Sequence, residues 1–250
     1  SFLQPIACGG RTTQWQHEAK ETDEGTGAMK ATEQKQRDSV SSGITALDEL
    51  IQSLQIGDNV VWQVDSLEDY LHFTKPFVEQ ALQDGRQIVY FRFGTHDPIV
   101  QPREGVEIIE VDPGKGFDIF SAKVQKVIHD RGIGMFYVFD SLSDLVKQWA
   151  TDELLANFFQ ATCPYLFELD TIAYFVLMRG QHAHRAVARI RDTTQVLIDV
   201  YRADHSLYIH PLKVWERYSP EMFLPHRVAG EEWPPVRHSG EAAELSTRAR

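Results

Sequence analysis

VWQVDSLEDYLHF (residues 61–73) and MFYVFDSLSDL (residues 135–145) follow one pattern. Each is an apolar run rich in β-branched and aromatic residues. Each stops at an aspartate, Asp65 in the first and Asp140 in the second, and continues into a segment with helical spacing. A buried strand that hands over to a helix is the repeating unit of an open α/β sheet. Ligands in such sheets lie outside the carboxyl ends of the strands. Asp65, His96 and Asp140 are therefore the residues to watch.

Outward from these two stretches the same alternation continues. Upstream, SSGITALDELIQSL places Leu47, Leu50, Ile51 and Leu54 at helical spacing, with Ser41 or Ser42 as a candidate cap. Gly57-Asp58 turns the chain into a strand over 59–64, and a helix is expected over 67–82 with Pro76 near a kink or a late start. Strands are expected over 86–93, from 106 to Pro113, and over 135–139, with an amphipathic helix over 117–130. A helical stretch over 143–169, interrupted near Pro164, precedes a strand over 171–178 and a short helix over 183–191. QVLIDVYRADHSLYIHPLKVW reads as two strands, 195–202 and 207–214, around a turn at 203–206. A helix through Tyr201 is the competing reading, because Ile190, Thr194, Leu197, Ile198 and Tyr201 also form a helical stripe. Five or more strand–helix alternations predict an α/β fold of three layers, a mostly parallel sheet with helices on both faces.

Composition narrows the function. The chain has 250 residues, 42% hydrophobic and 24% charged, with a formal net charge of −11. The two ends are close to neutral, so the span between them carries nearly all of that acidity. Such a span repels phosphate backbones at long range, which argues against a nucleic-acid binder. Residues 1–37 have few core-forming side chains and read as a disordered tail; residues 229–250 read as a linker or tail. The domain between them is expected to cover 38–228. Cys8 and Cys163 form neither a disulfide framework nor a metal motif, and Cys163 fits a buried thiol. The longest apolar runs have strand length, which predicts no membrane span. SFLQPIACGG has no secretory leader, so a cytoplasmic protein is expected, and its lack of an initiating methionine suits a piece of a longer product.

With these residues in view, a resemblance emerges. SSGITALDELIQSLQIGDNVV resembles the segment that leads into the phosphate-loop strand of RecA/KaiC-type ATPase domains. FYVFDSLSDL resembles their magnesium-acid strand, with Asp140 and Ser141 in the matching places. The stretch through LKVWERYSP is similar to the KaiC C-terminal hairpin. More narrowly, GDNVVWQVDSLEDY, FYVFDSLSDL, TCPYLFELDTIAYF and HPLKVWERYSP resemble the KaiC-related region found ahead of phosphoenolpyruvate synthase or pyruvate, phosphate dikinase-like modules. The resemblance implies a RecA-like, P-loop-type sheet with a C-terminal β-hairpin. It also implies a degenerate nucleotide site at Asp65, Ser66, Asp69, Tyr70, Asp140 and Ser141, with Asp140 as the magnesium acid, and a contact surface at Lys213, Trp215, Arg217 and Tyr218.

The departures from the family matter as much. A working phosphate loop needs glycines that let backbone N–H groups approach phosphate and a lysine that neutralises it. VDSLEDYL has neither, and Asp65, Glu68 and Asp69 would face phosphate with like charge. The glutamates that activate water in the family are absent from FRFGTHDP. The expected function is a catalytically degenerate domain, an accessory, regulatory or assembly module of a phosphoenolpyruvate synthase-like protein. It would carry no cofactor of its own. Its partner would be a second copy or a downstream module, with neither nucleic acid nor membrane involved. The alternative is an ATPase or kinase that binds ATP and magnesium through Asp140, Lys213 and Arg217. Asp140 also reads as a local hydrogen-bonding acid, and Lys213 and Arg217 as surface pairs. His182 and His184 read as a solvated loop, and no Ser/His/Asp constellation is expected. The aromatics Trp215, Tyr218 and Phe223, with Met222, either pack over the domain edge or form a docking surface.

Overall fold

The structure, a computed structural model, describes residues 37–149 and 151–248. Apart from Arg37, the tail expected over 1–37 lies outside the described residues. The chain runs β1 (Ser39–Val40), α1 (Thr45–Ile51), β2 (Leu54–Gln55), β3 (Asn59–Val64), α2 (Leu67–Gln83), β4 (Ile88–Arg92), β5 (Val106–Glu110) and α3 (Phe117–Arg131). It continues through β6 (Phe136–Ser141), α4 (Leu142–Trp149), α5 (Asp152–Glu168), β7 (Ile172–Met178), α6 (His184–Thr193), β8 (Val196–Ala203), β9 (Ser206–Val214), β10 (His226–Arg227) and α7 (Ser239–Arg248). Eight strands form one sheet in the order β10-β9-β8-β3-β7-β6-β4-β5. The six strands from β8 to β5 are parallel, while β9 and β10 join antiparallel.

Both faces are covered, which is why the central strands have no polar alternation. In β3, Val60, Trp62 and Val64 point to the face covered by α1 and α2, and Val61 points to the other. Aromatic stacking fills the first layer: Trp62 lies 4.4 Å from Phe73, and Phe77 lies 4.0 Å from Tyr174, between ring centroids. On the second face α3, α5 and α6 bury Phe120, Phe158 and Ile190 against Phe139 and Phe175, which stack at 4.3 Å. Gly43 is needed where the loop before α1 crosses α2, because a Cβ there would stand 2.4 Å from the Pro76 carbonyl oxygen.

Two expectations are corrected and one pair of alternatives is decided. Neither proline breaks its helix: α2 runs through Pro76 and α5 through Pro164. An internal proline costs about 3 kcal/mol, and here the flanking turns bury Phe73, Phe77 and Val78, or Phe158, Phe159, Cys163 and Leu166. The long helical stretch instead divides before Thr151, whose hydroxyl accepts the Leu154 N–H at 3.3 Å as an N-cap. Residues 196–214 form the expected pair of strands and not the competing helix, turning at Asp204 and His205 with φ of 45° and 66°, as a tight two-residue turn requires. Finally, the linker expected from 229 is structured through residue 248. Trp233 packs into the first core layer at 6.2 Å from Phe73, and Leu245 of α7 is buried with Tyr201, Tyr208 and Val236.

The helix after β3 crosses the first face and the helix after β7 crosses the second. These two strands are neighbours, so their connections part and leave a crevice at their carboxyl ends.

Candidate functional site: the carboxyl-end crevice

Asp65 follows the last residue of β3, and Arg179 follows the last residue of β7. The Arg179 backbone N–H extends the ladder to the Val64 carbonyl at 2.8 Å, which holds its side chain over the crevice. Its guanidinium then engages Asp65 (Nε to Oδ1, 2.9 Å), Asp199 of β8 (Nη1 to Oδ2, 2.8 Å) and the Val200 carbonyl, and lies 4.9 Å from the Tyr201 ring centroid. Only 12% of the Arg179 side chain is exposed. Burial pushes the Asp199 carboxyl up to about 6 even against the pull of Arg179.

The other residues of the expected nucleotide site are likewise occupied. The Ser66 hydroxyl caps α2 by accepting the Asp69 N–H at 3.3 Å, and it donates to the Asp69 carboxylate at 2.9 Å. Asp69 is buried and paired with Arg202 at 2.8 Å. Tyr70 is fully buried in the first core layer, and burial pushes its hydroxyl far up.

Asp140 has no exposed surface. Its Oδ2 accepts N–H groups from Phe93 (3.1 Å) and Gly94 (2.8 Å). Its Oδ1 accepts the Ser141 N–H (2.9 Å) and faces His96 Nε2 at 2.6 Å. Gly94 allows this approach, since a Cβ there would stand 2.5 Å from His96 Nε2 and 3.1 Å from Asp140 Oδ2. A carboxylate offers about four acceptor sites, and here three backbone N–H groups take three of them while the His96 ring stands against Oδ1. The Ser141 hydroxyl beside it is buried without a hydrogen-bond partner, but one hydroxyl cannot build the oxygen shell that magnesium demands. Among the described residues no group of three or more His, Cys, Asp or Glu side chains could hold a metal ion. The residues at Asp140 do not fit magnesium.

A Ser–His–Asp row does form, against expectation. The Ser143 hydroxyl at the start of α4 lies 2.7 Å from His182 Nε2, and His182 Nδ1 lies 2.8 Å from Asp152 Oδ1 at the start of α5. This is the hydrogen-bond order of a hydrolytic triad. Its surroundings are wrong for one: Ser143 is only 2% exposed, and its oxygen already accepts the Met178 N–H at 2.7 Å. The row clamps the ends of β6 and β7 together, and His182 is buried rather than solvated.

The hairpin residues do not converge on Asp140. Lys213 Nζ donates to the Arg191 and Asp192 carbonyls at 2.6 and 3.2 Å, satisfying the last turn of α6. Arg217 is buried against Asp58 (Nη2 to Oδ2, 2.9 Å) and donates to the Ser53 carbonyl. Asp58 precedes β3, so this pair sits at the opposite end of the sheet from Asp140. Burial raises the Asp58 carboxyl despite Arg217. Trp215 packs on Phe167 at 5.6 Å, with the Arg37 guanidinium 3.7 Å above that phenyl ring. Tyr218 is 70% exposed beside Phe223. The surface role expected for Lys213 and Arg217 is thus corrected for Arg217, which is spent inside the domain.

Arg179, Asp199 and His182 were missed as site residues. A signal existed for two of them: Arg179 ends the apolar run TIAYFVLM, and Asp199 interrupts VLIDVY, where a buried charge requires a partner. No family model and no curated protein matches the chain. The fold is that of a mostly parallel α/β protein, and its carboxyl-end crevice holds Arg179 in ion pairs with Asp65 and Asp199.

Proposed function

We propose that this is a catalytically degenerate RecA/KaiC-like domain, kept as an accessory or assembly module of a phosphoenolpyruvate synthase-like protein in the cytoplasm. The observation that carries the reading is Arg179. At the switch point, where a bound phosphate would need a free cation and open backbone N–H groups, the guanidinium is consumed by Asp65, Asp199 and the Val200 carbonyl. Asp140, buried and held by three backbone N–H groups, supports it further, as does the order in which β3, α2, β4, β6 and the closing hairpin follow one another. Its work is then contact with a second copy or with a downstream module rather than turnover.

The test is thermal unfolding and hydrolysis with magnesium-ATP. Any ligand of the native state raises the melting temperature, so the expected outcome is no shift and no turnover above background. Asp140→Asn is expected to cost about 1–3 kcal/mol, because it turns an amide N–H toward donors that had a carboxylate, and to leave hydrolysis unchanged. A clear rise in melting temperature, with hydrolysis that disappears in Asp140→Asn, would overturn the proposal.

A further inference from the structure

The two edges of the sheet are treated differently. At one edge β10 pairs with only two residues of β9, and Pro211, Pro225, Pro234 and Pro235 interrupt or cover the rest. Prolines and loops are common ways of blunting a strand edge. At the other edge β5 pairs with β4 along its whole length in unbroken register, with no proline and no bulge. Its outer side faces no strand among the described residues.

The backbone of β5 shows what fits there. The Gly105 carbonyl and the Val111 N–H point to β4, so by strand alternation Val106, Ile108 and Glu110 turn their backbone groups outward. Two of these six groups are already used: the Val106 N–H by the Arg103 carbonyl, and the Glu110 carbonyl by Lys123 Nζ. Among the described residues four are left, namely the Val106 carbonyl, both groups of Ile108 and the Glu110 N–H.

We propose that this edge pairs antiparallel with the β5 edge of a second copy, about a twofold axis at Ile108. In that register the two Ile108 residues exchange their N–H and carbonyl groups, and each Glu110 N–H meets a Val106 carbonyl. The four free groups on each copy are consumed, and the two already satisfied groups stand opposite one another. Side chains agree: Ile108 meets Ile108, Val106 meets Glu110 and Glu107 meets Ile109, so no like charges stand directly opposite. Helix α3 runs beside this edge, held by Arg131 on Glu107 and by Lys123 on the Glu110 carbonyl. Its Ile119 shares a face with Lys123 and is 57% exposed, and Ile133 beyond its other end is 75% exposed. The twofold sets the two α3 helices antiparallel and turns Ile119 of one copy toward Ile133 of the other. A self-complementary patch of this kind is what a closed dimer requires. The inference does not depend on the RecA-like reading, since it uses no residue of the crevice.

Sedimentation velocity over a concentration series tests it. The wild type is expected to move from one copy to twice that mass as concentration rises. Ile108→Pro removes an outward N–H without touching the β4 ladder, and the dimer is expected to be lost. Circular dichroism and cooperative unfolding show whether that variant is folded. Ile119→Lys, which lies outside the strand, is expected to weaken the dimer at least tenfold and decides the matter if the proline variant does not fold. A wild type that stays monomeric at its highest soluble concentration overturns the proposal, as does a dimer of undiminished strength in both variants.

Discussion

Asp199→Asn is the substitution that tests the crevice ion pairs most directly. The Asp199 carboxyl is held at about 6 in the folded protein, against 3.8 when unperturbed, with burial as the main cause and Arg179 opposing it. A group whose folded pKa is raised adds stability below its unfolded pKa and loses it as pH climbs through the folded value. That contribution is therefore complete below about pH 4 and gone above about pH 6. A rise of about two pH units corresponds to about 3 kcal/mol. Asparagine has the shape of the protonated acid and no charge, so the variant lacks this loss. Its stability relative to wild type is expected to improve between pH 4.5 and 7 by about 2 kcal/mol, the rest of the change falling below pH 4.5. With urea slopes of about 1–3 kcal/mol per molar, the midpoint difference grows by about 1 M. Urea titrations of both proteins at four pH values measure it, and taking the difference cancels titrations the two share. A stability difference that stays flat across this range would refute the account of Asp199 as a buried, charged partner of Arg179. So would a variant that loses ground as pH rises.

Two further substitutions probe burial elsewhere. Arg217→Met should cost about 3–5 kcal/mol in chemical denaturation, because it strands the Asp58 carboxylate, whose side chain is 3% exposed; a loss of less than about 1 kcal/mol would place the pair at the surface. In a Cys8→Ser background, Cys163 should react with an aromatic disulfide reagent only as fast as the domain opens. It has no exposed surface and burial pushes its thiol well above the usual range. Fast, stoichiometric labelling of the native protein would contradict that.

How much of this was legible before the structure depends on the distance over which each feature is decided. The strand over 59–64 appears with the predicted boundaries, and β6 and β7 each lie within two residues of theirs. An apolar run between turn signals is a local property, and burial on both faces leaves no other conformation as favourable. The helix break was misplaced for the converse reason: Pro164 is a strong local signal, but the core that α5 fills outweighs it. The hairpin over 196–214 was ambiguous because short apolar runs suit both periods, and only pairing with β3 on one side decided it.

Asp65 and Asp140 could be placed at carboxyl strand ends by their position after apolar runs, and the missing glycine and lysine at 64–71 could be read directly. What these acids do could not. Asp69 finds Arg202 across 133 residues, and Arg217 finds Asp58 across 159. Asp65 and Asp199 meet at Arg179 only because the crossover after β7 sets β8 beside β3. Sequence alone determined the elements and the ends of the sheet at which charge collects, since periodicity and turn chemistry act over a few residues. Tertiary structure decided which charges neutralise one another, because an ion pair is set by distance in space, and strand order brings together residues that the chain keeps far apart.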